Sequence, residues 1–552
     1  MPPRRHVAPG RPGQIRRAAG LLVLACILCG IEAGPSYAAV LSPPAGSSSW
    51  PVYHGDPVGT GTAAPVSAVR TGAPVWASPV VDGQIYGEPL VSGSRVYVAT
   101  ENDTVYALSA ATGAVLWSTH LGRPVPAASL PCGDITPTVG VTGTPVIDAS
   151  RGEIFVVADE LAGREPAHRL VGLSTTSGQV EMSQDVDPPG VNTAALLQRT
   201  GLALDAGQVV FGFGGNDGDC ASYRGRVVAV PETGGPVRVF TVDAAPGESQ
   251  GAVWMGGAAP VVDDSGHIWV STGNGSVYSD KDAYDDSDSV LELSSSLRLL
   301  QFFAPTTWAT NNSQDLDMST APALLPDGQV VLAGKSRIVY LLNGAHLGGI
   351  GGQQATLGDG SHAIVGSACS HDIDGGIAVL GRTVYLPCTS GIIAVRVTQS
   401  PPGLHLLWSS GTGGGPPIVA AGLVWTIGQN GALYGLDPAT GQVRQQAATG
   451  TPANHFPTPS VGDGLLLAAC AENVVAFAAP APGAATTPPA GQARPTACQA
   501  YSAPAAPAHL RRRDIAAIAL GALVVIAGLG WLGWLGWRKK SGHQKINAGE
   551  PG

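Results

Sequence analysis

Residues 105–117 read VYALSAATGAVLW, and residues 433–445 read LYGLDPATGQVRQ. Both phrases hold a run of alternating apolar residues, a small-residue turn closed by Thr-Gly, and a second run. Alternation with a period of two turns one face of each run to a core and the other to water, as in a half-buried strand. The Gly of the Thr-Gly pair supplies the positive φ that a tight hairpin demands. A chain that repeats such a unit cannot bury each copy alone, so the copies must pack on one another.

The fullest copy, EPLVSGSRVYVATENDTVYALSAATGAVLW, occupies residues 88–117. Counting it, second strands are expected near Val96, Ile154, Val209, Ile268, Val330, Val384, Val424 and Leu465. Eight units of four short antiparallel strands predict an all-β, eight-bladed β-propeller over residues 40–479. A seven-bladed ring with one irregular unit is the alternative. The last unit, TPSVGDGLLLAACAENVVAFAAP, stops before its outer strand, and a spare strand, APVWASPVV at 73–81, precedes the first unit. Ring closure reconciles the two: the N-terminal strand completes the eighth blade, and no sheet edge is left exposed.

The ends read differently. Residues 1–39 carry Arg4, Arg5, Arg11, Arg16 and Arg17, then an apolar run Ala18–Ile31 and small residues ending SYAAV. That is the pattern of a secretory signal, cut near Ala38 or Ala39. Residues 480–513 form a Pro/Ala-rich stalk. A transmembrane helix is expected over 514–537, because the apolar stretch Ile515–Trp537 is long enough to cross a bilayer. Trp531, Trp534 and Trp537 would seat at the interface, and Arg538, Lys539 and Lys540 favour a short cytoplasmic tail at 538–552. The expectation is a single-pass protein of the cell membrane with its propeller on the extracellular side.

Residues 40–510 hold 18 Lys+Arg against 37 Asp+Glu, a net charge of −19. Such a body should not bind nucleic acid or anionic lipid by general electrostatics. Its only lysines are Lys281 and Lys335. Six cysteines lie in the exported part: Cys132, Cys220, Cys369, Cys388, Cys470 and Cys498. An even count in an oxidising compartment predicts disulfides rather than a metal site, since no CxxC pair is present. Closeness in sequence suggests Cys369–Cys388, and Cys470–Cys498 would pin the tail to the last unit. Cys132–Cys220 is then the remaining pair.

The unit with its YAL-x-x-x-TG-x-x-x-W ending resembles the quinoprotein (pyrroloquinoline quinone, PQQ) repeat over roughly residues 50–479. The stretch 211–343 goes further, with FGFGGNDGDCASYRGRVVAV, GAVWMGGAAPVVDDSGHIWVSTGNG, DLDMSTAPAL and AGKSRIVYLLN in order. It is similar to the middle of quinoprotein alcohol dehydrogenases. The resemblance implies Trp254 as the floor under a planar quinone and Lys335 as the cation beside its carbonyls. It also implies Asp317 or Asp315 as the base, with Asn274 and Asp219 or Asp217 as calcium ligands. A positioned carboxylate can take a hydroxyl proton while hydride passes to a quinone. A fixed cation stabilises charge developing on the quinone oxygens, and calcium prefers oxygen donors.

The chain also departs from that family. GVTGTPVID at 140–148 stands roughly where many members carry adjacent cysteines, and no CxxCH haem motif is present. The acidic run DKDAYDDSDS at 280–289 lacks EF-hand spacing, so a hydrated loop is expected there. With no GxSxG in the propeller and no HExxH, hydrolysis falls behind. Two readings stand. The first is a cell-surface module that binds a protein, glycan or small ligand; its alternative is a PQQ- and calcium-dependent dehydrogenase of an alcohol or sugar.

Overall fold

The recurring phrase is most of one sheet, and the sheet recurs eight times. The computed structural model describes residues 49–188, 190–358 and 369–482; the expected signal segment, membrane helix and tail, with nearly all of the stalk, lie outside them. Antiparallel four-stranded blades span residues 90–120, 146–185, 203–241, 261–304, 323–357, 378–410 and 418–448, numbered 1 to 7. Blade 8 takes three strands from 460–478 and its outer strand from Trp76–Ala77, which pairs with Ala476 and Val475. All eight expected second strands are present, and the seven-bladed alternative is excluded. Among the described residues no helix is long and apolar enough to cross a membrane.

The TG…W spacing has a packing cause. The outer-strand Trp of one blade lies on the Thr-Gly or Ser-Gly turn of the next. Trp76 Nε1 donates to the Ala110 carbonyl at 2.7 Å, Trp117 Nε1 to Thr175 at 3.1 Å and Trp408 Nε1 to Pro438 at 2.9 Å. A Cβ on Gly113, Gly178 or Gly441 would stand 2.5 Å from the docked indole. Their φ values of +71°, +73° and +70° also favour glycine. One residue type thus answers both the hairpin and the neighbouring blade.

The segment 50–63 runs inside the ring along the innermost strands. Trp50 exchanges backbone hydrogen bonds with Val91 of blade 1, and the carbonyls of Pro51, Pro57, Thr60 and Gly61 accept from Ile147, Val262, Val379 and Val419 of blades 2, 4, 6 and 7. Trp50, Tyr53 and His54 are buried there. Disulfides join Cys132 to Cys220 and Cys369 to Cys388, as expected from sequence. The third expected pair involves Cys498, which lies outside the described residues.

Candidate functional site

In an antiparallel blade, links between successive strands alternate between the two faces of the ring. Segments entering a blade and links from second to third strand therefore share one face. Trp254 and Asp317 lie in segments entering blades 4 and 5, while Asn274 and Lys335 lie in second-to-third links of the same blades. Two neighbouring blades thereby place all four on one face.

The turn after Trp254 is left-handed for three residues, with φ of +44° at Met255, +57° at Gly256 and +85° at Gly257. A Cβ on Gly256 would collide with the backbone of Gly375, and one on Gly257 with the Arg199 guanidinium. Gly256 and Gly257 are thus required by geometry in the turn that follows Trp254.

Asp317 is the hub and is 4% exposed. Its Oδ1 accepts the Asn274 backbone N–H at 2.6 Å. With its amide oriented to satisfy both neighbours, Asn274 also donates Nδ2 to Asp317 Oδ1 and to Asp315 Oδ1. Lys335 Nζ lies 2.6 Å from Asp317 Oδ2 and 3.1 Å from Asp315 Oδ1. The backbone closes the same loop, because Lys335 N–H donates to the Asp317 carbonyl at 2.9 Å. Gly273 and Gly334 admit this approach; a Cβ on either would strike Asp317. The short helix Trp308–Gln314 ends on Asp315 in the left-handed region, and its Asn312 Oδ1 accepts from Gly275 N–H at 2.8 Å. Burial alone would lower the Lys335 pKa, but Asp317 and Asp315 outweigh it and raise it. Lys335 is therefore held charged.

Lys335 Nζ also stands 5.4 Å from the centre of the Trp254 indole. Trp254 faces Phe456 at 5.8 Å, and the Arg199 guanidinium lies 5.7 Å from the Phe456 ring. Arg199 is 9% exposed and donates Nη2 to Asn454 Oδ1 at 2.7 Å. The result is a row of cation, indole, phenyl and cation. Phe456 and Arg199 carried no sequence signal: they belong to segments entering blades 8 and 3, and ring closure brings them together.

Acid is in surplus around the row. Asp288 and Asp374 are buried and have no ion-pair partner among the described residues. Burial pushes the Asp374 carboxyl up to about 7 and holds Asp288 well above the usual carboxylate range. Asp219 accepts from the Tyr223 hydroxyl at 2.8 Å and is electrostatically coupled to Asp315, Asp317 and Lys335. Asp217 lines a small recess with Cys132, Gly133 and Asp134. In the acidic run, Asp285 and Asp288 are buried, so that part is no hydrated loop.

Hard oxygen donors and surplus negative charge suit a divalent cation such as calcium. The Trp254 face and Lys335 suit a planar anionic group.

Comparison with known proteins agrees with this architecture. A PQQ-repeat family model described as outer membrane protein assembly factor BamB matches residues 51–296. No curated protein sequence matches the chain. The quinohemoprotein alcohol dehydrogenase of Comamonas testosteroni superposes with a TM-score of 0.58 at 15% identity, covering 80% of this chain and 82% of that one. Quinohemoprotein alcohol dehydrogenase ADHIIG of Pseudomonas putida HK5 gives 0.58 at 14%, covering 81% and 82%. A europium-containing methanol dehydrogenase gives 0.56 at 13%, covering 78% and 98%. Eight blades, the docked outer-strand Trp residues and these likenesses show that the chain has the eight-bladed β-propeller fold seen in quinoprotein alcohol dehydrogenases, with a PQQ-repeat match over residues 51–296.

Proposed function

We propose that this propeller is displayed outside the cell on a single C-terminal membrane anchor and acts as a binding module. Its ligand seat is the row Lys335, Trp254, Phe456 and Arg199. The observation that carries this reading is the closed ion-pair set: Lys335 is held between Asp317 at 2.6 Å and Asp315 at 3.1 Å. A base whose two oxygens are already taken by Lys335 and Asn274 is poorly placed to accept a substrate proton. Two cations flanking two aromatic rings suit a planar, anionic group on a protein, glycan or small-molecule partner.

The second reading, a quinoprotein dehydrogenase, is supported by the meeting of Trp254, Lys335, Asn274 and Asp317 in one place. Trp254 and Lys335 would hold PQQ, which supplies a hydride acceptor when bound. Asn274 and Asp317, with Asp315 and Asp219 nearby, would hold calcium. Asp317 would orient the substrate hydroxyl and take its proton at Oδ2, which requires Lys335 to move from Asp317 toward the cofactor. Lys335 would then stabilise negative charge beside the indole.

Calorimetry on the full chain in detergent separates the two readings. PQQ is titrated with and without Ca²⁺, beside Trp254→Ala and Lys335→Ala. Calcium-dependent heat lost in both variants, with dye reduction by an alcohol, establishes the dehydrogenase. Absence of quinone heat and of dye reduction leaves the binding module, with its partner to be sought at the cell surface.

A further inference from the structure

The opposite face of blade 4 carries a second cluster that the axial row does not use. Asp263 and His267 lie in the link from its first to its second strand, and Glu292 lies on its third strand, Val290–Leu293. Their ligand atoms all lie within 4.8 Å of one another, the only such trio among the described residues. His267 Nδ1 is 2.6 Å from Glu292 Oε1 and 3.7 Å from Asp263 Oδ2. Donors brace both carboxylates: Trp269 Nε1 donates at 2.9 Å to Asp263 Oδ2, the oxygen nearer His267, Ser265 and His267 N–H donate to Asp263 Oδ1, and Gln301 Nε2 donates to Glu292 Oε2. Donors behind the ligands are what fix a metal site's geometry.

A second observation comes from blade 3. Asp205 ends that blade's first strand, and its side chain lies against Gly266, next to His267, 3.2 Å from where a Cβ would be. Asp205 is 6% exposed, and its Oδ2 has no hydrogen-bond partner among the described residues. Two carboxylates thus flank one imidazole, and a third, Asp205, interacts electrostatically with Asp263 and His267 from across the blade boundary. A neutral ring offers one of them a hydrogen bond, and even a protonated ring leaves the group net negative.

We propose that Asp263, His267 and Glu292, with Asp205 beside them, bind one divalent first-row transition ion, Zn²⁺ best matching one imidazole among carboxylates. The ion would tie the first hairpin of blade 4 to its third strand and to blade 3, bracing the blade whose opposite face carries Trp254 and Asn274. Calcium is disfavoured here by the nitrogen ligand.

The test uses the full chain in detergent, purified without a polyhistidine tag and stripped with chelator. Added Co²⁺ should give a visible absorption band that saturates near one equivalent and is displaced by Zn²⁺. His267→Gln and Glu292→Gln should each weaken binding by roughly tenfold or more, while exposed Arg444→Ala leaves it unchanged. If His267→Gln does not fold, the Glu292→Gln titration decides alone. No saturable band, or equal affinity in Glu292→Gln, would overturn the assignment.

Discussion

On the face built from first-to-second and third-to-fourth links, acids meet arginines. Arg151 reaches Glu153 and Glu232, Arg382 reaches Asp327, and Arg444 reaches Asp437 at 2.9 Å. The glycine turns that receive Trp76, Trp117 and Trp408 share that face. On the other face Glu88, Glu101, Asp103, Asp243, Asp288 and Asp374 are buried with no cation in ion-pair range among the described residues, where Lys335 pairs with Asp315 and Asp317. Bare buried carboxylates cost stability. A fold retains them where a cation or ligand is to be received, and on the arginine-paired face the Asp263, His267 and Glu292 cluster is the matching exception. The difference teaches where to look for chemistry: wherever charges are left open.

The largest expected consequence of that difference is a pH effect. Burial pushes Glu101 up to about 8 and Asp374 up to about 7. Asp159 is likewise raised to about 7 by burial, partly offset by His168. Such groups hold protons more tightly folded than unfolded. Their contribution is therefore complete below about pH 4 and is lost as pH rises through 7 to 8. Urea midpoints should fall between pH 5 and 8.5 by an amount worth several kcal/mol; a rise over that window would break the comparison. Millimolar Ca²⁺ should recover part of the loss at pH 8.5 and none at pH 5, where the acids hold protons.

On the paired face, Gly441→Val places a branched side chain at φ +70° and into the Trp408 ring. A loss of about 2–4 kcal/mol is expected in denaturant unfolding. Binding by the axial row should survive in whatever fraction stays folded. Lys335→Ala reverses this: about 2–3 kcal/mol is lost, because buried Asp317 is left without its ion-pair partner, and ligand heat disappears. Exposed Arg444→Ala should leave the unfolding midpoint unchanged, since such surface pairs contribute little. A large shift there would mean that the arginine-paired face matters more to stability than its exposure suggests.

Much of this was readable in one dimension. Period-two alternation and the Thr-Gly turns are local, so all eight second strands and the closing strand at Trp76 could be placed from sequence. Trp254, Asn274, Asp317 and Lys335 were readable as an ordered series because a resemblance supplied the roles. Asp217 could not be told from Asp219, since two residues apart in a loop point in directions that only packing settles.

What the sequence determined by itself is the blade, the count and the closure, because each follows from short-range patterning repeated along the chain. What the tertiary structure alone decided is which distant groups meet. Arg199 and Phe456 come to the axis through ring geometry, Asp205 lies against Gly266 across a blade boundary, and residues 50–63 line the inside of the ring. Those contacts join residues from different blades, and no local propensity encodes a partner that only ring closure brings within reach.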